Sequence, residues 1–150
     1  MIREIDIQNE EIARAVLGIQ IPSYEVEAKL IGFFELPPLK DTVMSLQRSG
    51  ETFYGYFVGE ELAGVISYKR DGNILDIHRL VVHPQHFRKG IASSLLHFID
   101  TNYSNVTKTV STAEKNTPAI ALYNRYGFWE KEKTPVTNQL TLVHLEKMGG

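Results

Sequence analysis

VVHPQHFRKGIASSLLHF, residues 81–98, is the stretch that decides the fold. An apolar run stops at Pro84. A short polar segment then carries Arg88 and Lys89 into Gly90, and a periodic apolar pattern begins. Ile91, Leu95, Phe98 and Ile99 fall at i, i+4, i+7 and i+8, which predicts an amphipathic helix from about Gly90 to Tyr103. A strand, a tight turn holding a glycine and a helix make a geometry that binds anions. The first helical N–H groups have no intrahelical partner, and the helix dipole adds about half a positive charge there. A phosphate at that spot accepts several amide hydrogen bonds at once. Gly90 has no Cβ to hold a ligand off the backbone, and Arg88 and Lys89 add flanking charge. Cations are the wrong sign for stability at a helix N-terminus. The segment by itself leaves open a phosphate cradle or a solvated basic turn.

Upstream, three strand-like runs, Thr52 to Val58, Glu61 to Lys69 and Asn73 to Val82, are separated by the turn-forming breaks GEE and RDGN. They predict an antiparallel meander. Before them, Ile2, Ile5 and Ile7 suggest a short first strand. Ile12, Val16 and Ile19 are spaced for a helix that stops by Pro22. Ser23 is placed to cap a second helix from about Tyr24 to Glu35, with Val26, Leu30 and Phe33 or Phe34 on its buried side. Pro37 and Pro38 end it, and a shorter helix follows from about Leu39 to Gln47. Downstream come a strand from Val106 to Ala113, a short helix, and strands near Phe128 to Lys133 and Leu140 to Lys147. The order predicts one α+β domain over residues 1–150: a mixed, mostly antiparallel sheet of about seven strands flanked by about four helices.

The bulk numbers narrow the function. Of 150 residues, 43% are hydrophobic and 23% charged, an ordinary globular balance. A net charge of -2 argues against a nucleic-acid surface. The absence of cysteine excludes a disulfide framework, a thiolate zinc site and a cysteine nucleophile. An enzyme built on this chain must borrow any thiol from a cofactor. The opening MIREIDIQNEE reads as neither signal nor transit peptide. No apolar run approaches the roughly 18 residues of a membrane span, so the expectation is a cytoplasmic protein without a membrane partner. His78, His83 and His86 cross a strand end and a turn with no carboxylate to complete a ligand set, which argues against a metal.

A second segment, EKNTPAIALYNRYGFW at residues 114–129, delimits a short helix. Thr117 stands at the N-cap, Pro118 at the first helical position and Gly127 just past the end. Ala119, Leu122, Tyr123 and Tyr126 share a face, and on periodicity alone Tyr123 is a core aromatic.

Together the two segments resemble the GNAT superfamily of N-acetyltransferases. The family's pyrophosphate-binding turn has the form R/Q-x-x-G-x-G/A, matched here by Phe87, Arg88, Lys89, Gly90, Ile91 and Ala92, with Phe87 departing from Arg or Gln. A second pattern, N-x-x-A-x-x-L-Y-x-x-x-G-F, is met by Asn116, Ala119, Leu122, Tyr123, Gly127 and Phe128. The order of elements between and around them also fits, while the first roughly 50 residues match only in type of element.

The resemblance implies direct transfer of an acetyl group from acetyl-CoA to an amine. It places the pyrophosphate on the amides of about Phe87 to Ala92. It lays the pantetheine arm between two splayed strands, along the backbone of Val81 and Val82 like an added strand, and attributes the splay to a bulge in the strand before the turn. Asn116 would contact the arm. Tyr123 would be the general acid, since a thiol with a pKa near 8.5 and a tyrosine near 10 exchange a proton with little driving force. An acceptor amine with a pKa near 10.4 must first lose a proton. In ILDIHRLVV, Asp76, His78 and Leu80 share a face by period two. His78, or a water it holds, is the candidate base, at about the place where many relatives carry a carboxylate. Tyr24, Phe33, Phe34, Leu36 and Pro37 are candidates for the acceptor mouth. The acceptor would be a small-molecule amine, a lysine or a peptide N-terminus. A homodimer using Leu140 to Lys147 as an edge, and a silent acyl-CoA sensor of the same fold, are the remaining family readings.

Overall fold

A computed structural model describes residues 1–150. Strands β1 (Ile2–Ile5), β2 (Thr52–Val58), β3 (Glu61–Asp71), β4 (Ile74–Val82), β5 (Thr107–Ala113), β6 (Trp129–Pro135) and β7 (Thr141–Lys147) form one sheet in the order β1-β2-β3-β4-β5-β7-β6. Only β4 and β5 run parallel. Helices α1 (Glu10–Ile31) and α2 (Val43–Gln47) cover one face, where Val16, Ile19 and Leu46 pack on Phe53, Val65 and Val81. Helices α3 (Ile91–Asn102) and α4 (Thr117–Arg125) cover the other, where Ile91, Leu95 and Tyr123 pack on Ile66, Leu75 and Ile77. The α+β architecture, the seven-strand mixed sheet and the four helices bear out the sequence reading.

Four local expectations are corrected. The helix predicted to stop by Pro22 runs through it: α1 is 22 residues long, capped by the Asn9 side chain on the Ile12 amide and ended by left-handed Gly32. Ser23 is therefore no N-cap. An interior proline costs a helix about 3 kcal/mol. Here Val16, Ile19, Ala28 and Ile31 are all buried on either side of it, and fully burying one aliphatic side chain recovers about 1.5–3 kcal/mol. Pro37 and Pro38 do not end that helix but open a short 3-10 turn, Pro37–Lys40. The N-cap of α4 is Asn116, whose side chain accepts from the Ala119 amide, and not Thr117. Finally, β7 lies between β5 and β6, so Leu140 to Lys147 offers no free edge. The edge on that side of the sheet is β6, exposed along its length and charged by Glu130, Lys131, Glu132 and Lys133, a composition that discourages edge-to-edge pairing.

β4 and β5 stay paired for only part of their length. They pair only over Ile74–Ile77 against Thr107–Val110. Beyond that, β5 keeps β7 as its partner and β4 keeps β3. At the point of parting β4 carries an extra residue. Ser67 opposes Arg79 and Tyr68 opposes Ile77, which leaves His78 unpaired in a bulge. The bulge reverses the alternation of the strand. Leu75 and Ile77 face α3, whereas Arg79 and Val81 face α1, and Leu80 and Val82 face α3. Asp76, His78 and Leu80 therefore do not share one face as period two predicts.

Candidate functional site

The gap between β4 and β5 opens into two cavities that share Glu27, Leu80, Asn116, Ala119 and Tyr123. One, of about 600 Å³, lies on the side of the glycine turn and is lined among others by Val82, Phe87, Arg88, Gly90 and Ala92. The other, of about 390 Å³, lies on the side of the 3-10 turn and is lined among others by Tyr24, Phe33, Leu36, His78 and Leu140.

The first cavity is a backbone cradle. The amides from Arg88 to Ser93 donate to no protein acceptor, and the first intrahelical bond of α3 runs from the Ser94 amide to the Gly90 carbonyl at 2.9 Å. The Phe87 amide is excluded from the cradle, because it donates to the Pro84 carbonyl at 3.2 Å. Arg88 (φ 65°) and Gly90 (φ 75°) are both left-handed, and Arg88 is the single non-glycine residue with positive φ. Alternation of this kind turns successive N–H groups inward, into an anion-binding concavity. Space is not what Gly90 supplies, since a Cβ there would meet nothing within 4 Å. The torsion is what demands glycine. Phe87 stands at the rim, 40% exposed, near Val26 and Leu30. The Lys89 ammonium turns back to His86 Nδ1 at 3.2 Å and lines neither cavity.

The second cavity is built of side chains. Phe33, Leu36, Pro37, Leu80, Val136 and Leu140 make its apolar wall. The polar floor includes Arg79, which is held by Glu51 Oε1 at 2.9 Å, Asp41 Oδ2 at 2.6 Å and Gln20 Oε1 at 3.0 Å. Burial opposes the ionised form of Asp41, but hydrogen bonds from Ser45, Arg79 and Gln20 outweigh it and hold the carboxyl below its ordinary range. His78, released from the ladder by the bulge, reaches Glu51 Oε2 at 3.4 Å with Nδ1 and Asp76 Oδ2 at 3.1 Å with Nε2. Of the two phenylalanines expected here, Phe33 lines the cavity and Phe34 does not; Phe34 is 62% exposed on the surface.

Tyr123 stands where the cavities meet. Its ring packs edge-on against Phe128 at 5.4 Å. Its hydroxyl bonds to no protein group, and no fully buried side-chain polar atom is left without a partner, so the hydroxyl opens into the gap. Burial, then Tyr24 and Glu27, push the hydroxyl pKa well above the usual tyrosine value. Burial raises Tyr24 in the same way, with Glu27 adding to it.

Glu27, which the sequence reading missed, is the third group at the junction. Burial raises its pKa, and the hydrogen bond from Asn116 Nδ2 to Oε1, at 2.9 Å, opposes that rise. Asn116 thus spends its carbonyl on the α4 cap and one N–H on Glu27. Of the residues expected to touch a cofactor, Val82, Phe87, Arg88, Gly90, Ile91, Ala92 and Asn116 line the first cavity. Val81 faces the α1 core instead. No set of three or more His, Asp or Glu side chains is placed to hold a metal, and no helix is long and apolar enough to cross a membrane.

The sheet parts beside an amide cradle, and Tyr123 opens at the junction of the two cavities. Residues 38–148 match the acetyltransferase (GNAT) domain, and the chain belongs to that family of acetyltransferases. It is 44% identical over 143 residues to the UPF0157 protein YqkA of Bacillus subtilis (strain 168), covering 95% of this chain and 42% of that protein. The chain thus spans less than half the length of this relative. It is 28% identical over 130 residues to a streptothricin acetyltransferase of Escherichia coli, covering 83% of this chain and 73% of that protein. Its fold superposes with a TM-score of 0.77, at 16% identity and over 99% of this chain and 98% of the other, on the PaiA N-acetyltransferase of Thermoplasma acidophilum crystallised with coenzyme A.

Proposed function

We propose that the chain transfers an acetyl group from acetyl-CoA to a primary amine, with the cofactor in the cradle cavity, the amine in the side-chain cavity and Tyr123 between them. The observation that carries this is the meeting of the two cavities at Tyr123. Acetyl-CoA supplies an acyl thioester, whose C–S bond is exchanged for a C–N bond with release of the thiol.

The residues of this chain do the rest. The free amides of Arg88 to Ser93 bind the pyrophosphate, with Arg88 as supporting charge. The unpaired edge of β4 near Val82 takes the pantetheine amides as an added strand. Tyr123 holds a proton at its hydroxyl for the sulfur. Its raised pKa keeps that proton in place at neutral pH, and it also makes the hydroxyl a weaker acid than the near match of free pKa values suggests. The same burial disfavours a free thiolate in the gap, so both partners move in the same direction. His78 gives the side-chain cavity a proton outlet: its imidazole bridges the lining to Asp76, which is half-exposed.

Isothermal titration with coenzyme A, followed by thiol release with an amine, tests the assignment. Binding with turnover is expected. Tight binding without turnover of any amine would favour a silent acyl-CoA sensor.

A further inference from the structure

Glu27 is a carboxylate without a cation. One oxygen accepts from Asn116. The other has no protein partner, and no fully buried side-chain polar atom lacks one, so this oxygen is accessible, on a residue that lines both cavities. None of the ion pairs of the molecule includes Glu27. In the acceptor cavity the one guanidinium, Arg79, is already occupied by Asp41 and Glu51, and Arg88 and Arg125, which line the cradle cavity, form no ion pair with Glu27. Even partial burial of a carboxylate without a cation is costly. The chain tolerates one beside Tyr123, where the acceptor nitrogen must arrive.

The walls restrict what can bring the missing cation. The cavity is apolar on most sides, and its volume of about 390 Å³ is near the small end of ligand sites, which run from roughly 300 to 1,000 Å³. Its other carboxylate without a cation inside the cavity, Glu35, lies outward and pairs with Lys40 on the surface at 3.1 Å. A polycation would have to desolvate several ammonium groups against one free carboxylate, leaving the rest unpaired.

Resting on the acetyl-transfer reading, we infer that Glu27 binds the acceptor's ammonium and takes its proton, and that the acceptor is a compact primary monoamine on an apolar body. One N–H proton of the ammonium passes to the free Glu27 oxygen, the nitrogen keeps the electron pair it needs for attack, and the proton later leaves to water. Glu27 is thus a catalytic residue and also sets specificity.

The test compares 2-phenylethylamine with spermidine and with an alanine-initiated tetrapeptide as acceptors. The chain is assayed by thiol release, and amine binding is measured by calorimetry on the coenzyme A-saturated protein. Expected are a kcat/KM for 2-phenylethylamine at least tenfold above either alternative and a fall of about 100-fold in E27Q, the scale of one acid–base group. Phenylethylamine binding is also lost in E27Q, while coenzyme A affinity stays within about twofold. E27D, which keeps the charge, retains amine binding. Equal or higher kcat/KM for spermidine or the peptide overturns the inference, as does an E27Q that still binds and turns over phenylethylamine like the parent. A parent chain that fails to bind coenzyme A overturns the acetyl-transfer reading itself, a different result from either of these.

Discussion

The two cavities that meet at Tyr123 are made of different material. The cradle side is backbone: free amides between Arg88 and Ser93, held by two left-handed residues. The acceptor side is side chains: an apolar wall, a buried Arg79 network and the single free carboxylate of Glu27. Backbone recognition needs a conformation rather than a particular side chain, and the free amides of Arg88 to Ser93 stand whatever residue occupies position 87. Side-chain recognition needs particular residues, so it changes with each substitution. On the proposed reading, one molecule holds a general site for its acyl donor and a particular site for its acceptor.

Tyr123→Phe removes the group shared by both cavities. Its kcat should fall by about 10² to 10⁴-fold with coenzyme A affinity within about twofold, measured by steady-state kinetics and calorimetry. An unchanged kcat would return Tyr123 to the core. Gly90→Val should weaken coenzyme A binding at least tenfold, because the cradle must leave its left-handed torsion; it should also destabilise the free protein by about 1–2 kcal/mol.

Two carboxyls of the acceptor side respond to pH in opposite senses. Asp41 is held below its ordinary range, so its ion pair is fully present above the unfolded value near 3.9 and is lost as pH falls through the lower folded value. Melting temperature should therefore drop below about pH 4, and less steeply in Asp41→Asn. Glu27 is raised, so its ionised form costs stability at neutral pH, and that cost is relieved as pH falls through the raised value. Glu27→Gln should accordingly melt slightly higher than the parent at pH 7. A lower melting point would mean that the carboxylate is structural. The smallest effect is expected of Phe87→Arg. A new cation at the rim should tighten coenzyme A binding by no more than about threefold and raise its salt sensitivity.

The same contrast explains what the sequence revealed. The cradle and α4 were legible because their signals are local: a glycine before an apolar periodicity, an Asn-Thr-Pro start and a glycine stop. Even there the cap was misplaced by one residue, since Asn116 and Thr117 are both good caps. The acceptor side was legible in part: Tyr24, Phe33, Leu36, Pro37 and His78 line it as expected, but the geometry that brings them together is tertiary. Pro22 predicts a helix end, but burial of α1 on the sheet overrides it. The extra residue at His78 cannot be seen without its partner strand, and a one-residue bulge undoes a period-two argument. Glu27 reads as an ordinary helical surface charge between Val26 and Ala28. The one available signal was its place three residues after Tyr24 and four before the buried Ile31, a carboxylate on what becomes the covered face of a single long helix. Phe34 was the converse error, an aromatic neighbour of Phe33 that turns to solvent.

In the proposed function the donor is recognised by backbone and meets the acceptor at Tyr123. Residue-resolved amide NMR during a coenzyme A titration tests it most directly. The largest amide shifts are expected on Arg88 to Ser93, with smaller ones on α4 around Tyr123. Amides there that do not move at millimolar coenzyme A, or shifts centred on the Arg79 network instead, would contradict it.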